Sequence, residues 1–117
     1  LVDVVKDITT PAIVRATAVS RLGQYNGVSA VEAVSKALVD ANPQVRAMAV
    51  GATVSQREEP LSRIKVLAPL LRDPVRLVRV EAARALAPFV NLPASTSGLS
   101  PAQKRACQRA LDESASP

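Results

Sequence analysis

The sequence predicts an all-α protein, an α-solenoid in which helical hairpins stack side by side. Three observations carry that prediction. A stretch that begins at a turn and runs into an alanine-rich helix is written three times: "TTPAIVRATAV" (Thr9 to Val19), "DANPQVRAMAV" (Asp40 to Val50) and "DPVRLVRVEAA" (Asp73 to Ala83). Apolar residues recur at three- and four-residue spacing, as in Leu61, Ile64, Leu67 and Leu71 or Val31, Val34 and Leu38, which puts each set on one helix face. No window alternates strictly for long enough, between turn signals, to compete as a strand.

Four prolines punctuate the chain, each directly after a residue suited to capping a helix: Thr10-Pro11, Asn42-Pro43, Asp73-Pro74 and Ser100-Pro101. A proline in the first helical turn loses nothing by lacking an N–H, so helices are expected to start near positions 11, 43, 74 and 101. The first three are amphipathic over Ile13–Leu22, Val45–Thr53 and Val75–Ala87. Two further helices fall between them, Val28–Val39 and Leu61–Leu71, and Pro69 should kink or end the latter.

Paired as first helix, turn and second helix, these segments give repeats over about 1–23, 28–54 and 60–88 within an array spanning 1–90. The period is 31 to 33 residues. A helical hairpin cannot bury its apolar face alone, and stacking makes one core out of several insufficient ones. The segment "LVDVVKD" reads as the tail of a first helix. A loop over 91–99 is then followed by a C-terminal helix within 100–117, "AQKRACQRALDE" (Ala102 to Glu113), leading to a further segment. The chain opens on Leu1 and closes on "SASP", as expected of a piece excised from a longer protein.

Composition narrows the chemistry. Apolar residues make up 48% of the 117, mostly Ala, Val and Leu, while the aromatic residues are Tyr25 and Phe89. A core of small aliphatic side chains suits close helix packing and offers few rings on which a base or a planar cofactor could stack. With no histidine, His-containing zinc sites, c-type haem attachment and Ser-His or Cys-His nucleophiles are excluded from this segment. No cofactor is expected. Cys107 stands alone and cannot form an internal disulfide. No apolar run approaches the roughly 18 to 20 residues that cross a bilayer, so no membrane partner is expected.

The net charge is +5, and the excess is uneven: five basic and four acidic residues up to Val50, ten and six after it. Arg57, Arg63, Lys65, Arg72, Arg76 and Arg84 supply much of that second-half charge, with Glu58, Glu59 and Glu81 among them. A basic face could attract nucleic acid or an acidic protein, but a solvated surface is the plainer reading. Glu58-Glu59 before Pro60 reads as helix-start charge rather than acid–base machinery. Cys107 lies at helical spacing with Ala110 and Leu111 and reads as a small buried residue, although Lys104, Arg105 and Arg109 flank it. Gly51, inside a helix, is expected to permit a close helix contact, and Gly23 and Gly27 to mark helix ends.

With these residues in view, the chain resembles HEAT repeats, and among them the short subtype of phycobilisome-lyase-like proteins. The pattern there runs roughly Asp, two residues, Pro, one residue, Val-Arg, then alanines and a Leu. "DANPQVRAMAV" carries Asp40, Pro43, Val45, Arg46 and Ala49 in those places. "DPVRLVRVEAARAL" carries Asp73, Val78, Arg79, Ala82, Ala83 and Leu86, with its proline directly after the Asp. "TTPAIVRATAVSRL" keeps Val14, Arg15, Ala18 and Leu22 but has Thr9 in place of the acid, which leaves its Asp–Arg contact open.

The resemblance spans about residues 1–88 and implies a right-handed superhelix acting as a non-catalytic protein–protein interaction or scaffold module. It implies structural Asp–Arg pairs, within or between repeats, among Asp40, Arg46, Asp73 and Arg79. The second helices would line the inner surface, where Arg21, Gln44, Arg76 and Arg84 would meet a partner, either another protein or another domain of the parent chain. Phosphate-contacting nucleic-acid binding is the alternative function. Without His, clustered carboxylates or an aromatic pocket, lyase chemistry is not expected.

A fainter resemblance joins "LLRDPVRLVRVEAARAL", a loop and "SPAQKRACQRALDE" to the region ahead of tetratricopeptide repeats in secreted bacterial multihaem cytochromes. It implies a spacer or docking module in the periplasm. Without it, the expectation is a cytoplasmic protein.

Overall fold

The computed structural model describes residues 2–6, 9–25, 27–56, 60–93 and 98–115. Arg57, Glu58 and Glu59, singled out above, lie outside the described residues. Those that are described form α1 (Val2–Lys6), α2 (Ala12–Leu22), α3 (Val28–Ala37), α4 (Pro43–Gln56), α5 (Pro60–Leu67), α6 (Arg76–Leu86) and α7 (Pro101–Ala115). Single 3₁₀ turns follow α5 (Ala68–Arg72) and α6 (Ala87–Phe89), and no strand occurs among the described residues. The chain is all-α and divides into two compact units, residues 1–58 and 59–117.

In the first unit, α1 pairs with α2 and α3 with α4, and the hairpins stack with α2 on α4 and α1 on α3. Val19, Val34, Val45, Ala49 and Val50 are buried between them. Each is small or β-branched, so the helices pack closely. In the second unit, α5 and its 3₁₀ turn pack against α6, and α7 covers both α6 and that turn. Leu67, Val78, Leu86, Leu99 and Cys107 form the core there.

The helix starts obey the proline signals with two corrections. At α4, Asn42 Oδ1 accepts the N–H groups of Gln44 (2.9 Å) and Val45 (3.3 Å), the expected cap. At α7, Ser100 Oγ accepts the Gln103 N–H (3.1 Å) while Gln103 Oε1 accepts the Ser100 N–H (2.8 Å), a reciprocal capping box. At α2, however, Pro11 rather than Thr10 takes the cap position, and no side chain caps the helix. At α6 the start slips to Arg76, because Asp73 Oδ1 spends its bond on the Val75 N–H (2.9 Å) and holds Val75 extended. Pro69 acts as expected: α5 ends at Leu67 and the chain tightens to 3₁₀.

The close helix contact falls at Gly23, not Gly51. Gly51 is exposed, and a Cβ built there meets nothing within 4 Å. A Cβ on Gly23 would lie 3.0 Å from Ala52 Cα and 3.2 Å from Ala52 Cβ. Gly23 has φ −57°, open to any residue, so it is the approach of α4 that demands glycine. One turn further along α4, the buried Gln56 Nε2 donates to the Leu22 carbonyl (2.9 Å), satisfying a helix-end oxygen across the same contact.

Candidate functional site

The Val-Arg arginines build the turns. Arg46 Nη1 donates to the carbonyls of Asp40 (2.8 Å) and Ala41 (3.1 Å). Thirty-three residues on, Arg79 Nη1 donates to those of Asp73 (3.0 Å) and Pro74 (3.1 Å). Arg15 reaches the carbonyl of Thr10, the equivalent position in the first repeat. Each arginine thus clamps the main chain of the turn that precedes its own helix. The carboxylates complete the turns: Asp40 Oδ1 accepts the Asn42 N–H (2.9 Å) as Asp73 Oδ1 accepts that of Val75.

The carboxylate of Asp40 also reaches into the neighbouring repeat. Arg15 Nε and Nη2 each lie 3.1 Å from one of its two oxygens, a bidentate pair with both side chains 10% exposed. The first repeat, with Thr9 where the second has Asp40, therefore takes its carboxylate from the second. Burial on its own would push the Asp40 carboxyl up, but the Arg15 hydrogen bond, the Asn42 N–H and the charges of Arg15 and Arg46 outweigh it and hold it below 3.8.

Arg79 follows the same rule with a different acid. Its Nη2 lies 3.0 Å from Glu113 Oε2, near the end of α7. Arg76 joins it, with Nε 3.8 Å from the same oxygen and a hydrogen bond to the Glu113 carbonyl. The composition of α7 gave no sign of this role for Glu113. Its position, a carboxylate one helix beyond the last Val-Arg pair, was the available clue.

The four residues expected to meet a partner lie on the second helices of both units. Arg21 and Gln44 are exposed on α2 and α4. On α6, Arg84 is exposed and lies 3.6 Å from Glu81, and Arg76 is tied to Glu113 as described. Ile13 (70% exposed) and Leu77 (45%) stand at equivalent places, two residues before their clamping arginines, where α4 has Gln44. Cys107 is fully buried, its thiol 3.5 Å from the Ala83 carbonyl, and burial pushes its pKa up despite the flanking Lys104, Arg105 and Arg109.

The second unit also contains a cleft of about 570 Å³ between the turn at 71–74 and one face of α7. Ala102, Ala106 and Ala110 leave the room, and Arg72, Arg105 and Arg109 stand on its walls beside Asp73, Arg79 and Glu113. Sequence reasoning had treated Arg105 and Arg109 only as neighbours of Cys107. Among the described residues no group of three or more His, Cys, Asp or Glu could hold a metal ion, and no helix is long and apolar enough to cross a membrane.

Neither a search of curated proteins nor one of solved structures finds a match to this chain. A model of the family described as HEAT repeats matches residues 2–87, the span that contains all three clamped turns. Turn, clamping arginine and stacked hairpin agree with that match, and the chain belongs to the HEAT-repeat family.

Proposed function

We propose that this chain is a non-catalytic interaction or scaffold module whose partner meets the outward side chains of α2, α4 and α6. HEAT repeats generally mediate protein–protein interaction or scaffolding. The observation that carries the reading is the repeat-equivalent exposure of Ile13 and Leu77, with Met48 of α4 exposed one turn beyond Gln44. Large apolar side chains left outside at the same repeat register in each unit mark surface suited to a partner. Arg21, Gln44, Arg76 and Arg84 would give it polar specificity.

A photo-crosslinking residue placed in turn at Gln44, Arg76 and Arg84 tests this. The same partner captured from all three, and not from Glu32 or Lys36 on α3, supports the surface. Capture only from α3 moves the interface to the first helices.

The phycobilisome-lyase-like subtype and the multihaem spacer role belong to the same proposal at a finer level. The subtype rests on "DANPQVRAMAV" and "DPVRLVRVEAARAL", and the spacer role on "LLRDPVRLVRVEAARAL" followed by "SPAQKRACQRALDE". Haem-attachment motifs before this segment in the parent gene, with tetratricopeptide motifs after it, would support the spacer role and a periplasmic location. An ordinary cytosolic context would end it.

A further inference from the structure

The arginines of the second unit divide into two groups. Arg79 and Arg76 share the single carboxylate of Glu113, and Arg84 lies beside Glu81. Arg72, Arg105 and Arg109 are exposed and make no hydrogen bond or ion pair among the described residues, yet all three line one cleft. Arg105 and Arg109 are four residues apart, so they project from the same face of α7. Arg72 approaches from the opposite wall, at the end of the 3₁₀ turn. The alanines at 102, 106 and 110 keep the floor low enough for a ligand to enter between them.

We propose that this cleft is a binding site for an acidic peptide segment of a partner protein, its carboxylates taken by Arg72, Arg105 and Arg109. The proposal rests on the interaction-module reading and adds a second, separate contact to it. A volume near 570 Å³ lies within the range of pockets that enclose a small ligand or a few side chains. Guanidinium forks match carboxylates two bonds at a time, which suits discrete acidic side chains. A nucleic-acid strand fits less well. No aromatic ring lines the cleft to stack a base, and its volume suits a few side chains rather than a run of nucleotides.

The test is a titration of the purified protein against a labelled Asp/Glu-rich peptide, its Asn/Gln counterpart, a phosphoserine peptide and a single-stranded oligonucleotide, followed by anisotropy at low and near-physiological salt. The acidic peptide should bind and the amide peptide should not. Arg105→Ala and Arg109→Ala should each weaken binding about 10-fold, the loss of one charge-assisted contact. Lys65→Ala removes one positive charge from an exposed position of α5 outside the cleft and should leave affinity within about twofold, and circular dichroism of each variant checks that the helices persist. A phosphoserine peptide that binds more tightly than the carboxylate peptide through Arg105 and Arg109 overturns the carboxylate assignment.

Three other outcomes also overturn the proposal. Tighter binding of the oligonucleotide through these arginines would make the cleft a phosphate-backbone site. Equal loss from Lys65→Ala and Arg105→Ala would reduce it to general surface charge. No binding of the acidic peptide even at low salt would remove the site, while crosslinking from Gln44, Arg76 and Arg84 would still decide the second-helix surface independently.

Discussion

Arg15 holds Asp40 with two nitrogens, each 3.1 Å from its own carboxylate oxygen, and so ties the second helix of one hairpin to the turn that opens the second helix of the next. Both side chains are nearly withdrawn from water. Removing either partner strands the other, so Arg15→Ala and Asp40→Ala should each cost about 2–4 kcal/mol of stability. In a double-mutant cycle read by urea unfolding, the two losses should fail to add, because both report on the same pair. Additive losses would mean that the two residues stabilise the fold separately.

The same pair should make stability depend on acid. In the folded state the Asp40 pKa lies below 3.8, with burial opposing the shift and the Arg15 and Asn42 bonds and the charges of Arg15 and Arg46 producing it. The unfolded chain therefore binds a proton at Asp40 more readily than the folded one. Its stabilisation is fully present above the unfolded value and is lost as pH falls through the depressed folded value. Urea midpoints measured from neutral pH downwards should show the wild type losing more stability across that acid window than Asp40→Asn does. Parallel curves would show that Asp40 does not titrate differently on folding.

Two glycines should respond oppositely to alanine. Gly23→Ala drives a Cβ to 3.0 Å from Ala52 Cα, a backbone atom that cannot swing aside, and should destabilise by about 1–3 kcal/mol. Gly51→Ala places a methyl in open space on the exposed side of α4 and should stabilise by about 0.5–1 kcal/mol through helix propensity. Thermal unfolding of the two variants would check the pair, and a stabilised Gly23→Ala would show that α2 and α4 can separate at little cost.

Much of the fold was legible because its signals are local. The Asn42-Pro43 and Ser100-Pro101 caps and the spacing of Leu61, Ile64 and Leu67 each lie within one turn or two of helix. What sequence reading missed depends on which residues of distant segments meet. Nothing within a few residues of Gly23 or Gly51 says which of them faces Ala52. Asp–Arg pairs were expected within or between repeats, but not that Arg46 and Arg79 would also hold the main-chain carbonyls of those turns through Nη1. Nor does anything local to Asp40 say that its carboxylate meets an arginine 25 residues away. Glu113, Arg105 and Arg109 were hidden for the same reason: α7 departs from the repeat pattern, so no register predicted which of its faces would meet the turn at Asp73.

Glu113 serves two arginines at once from a half-exposed position. Glu113→Ala should therefore cost only about 0.5–1 kcal/mol, and the difference from wild type should shrink as salt is raised. Urea unfolding at two ionic strengths reads this. A loss insensitive to salt would assign Glu113 a packing role in place of the ionic one.

Cys107 offers a direct readout of how firmly α7 is held. Its thiol is fully buried against α6, within reach of the Ala83 carbonyl, and its pKa is raised, so the nucleophilic thiolate is scarce in the folded protein. At neutral pH a thiol reagent should modify it on the order of 100-fold more slowly than it modifies the urea-unfolded chain, because reaction waits for α7 to open. Ser100→Ala deletes the cap that starts α7 and should weaken that helix by about 1 kcal/mol. Modification should then speed up about fivefold, since the open population rises by that factor when opening is fast relative to reaction. An unchanged rate would mean that the thiol is reached by local movement around Cys107, with α7 still in place. Reaction as fast as in the unfolded chain would contradict the burial of Cys107 altogether.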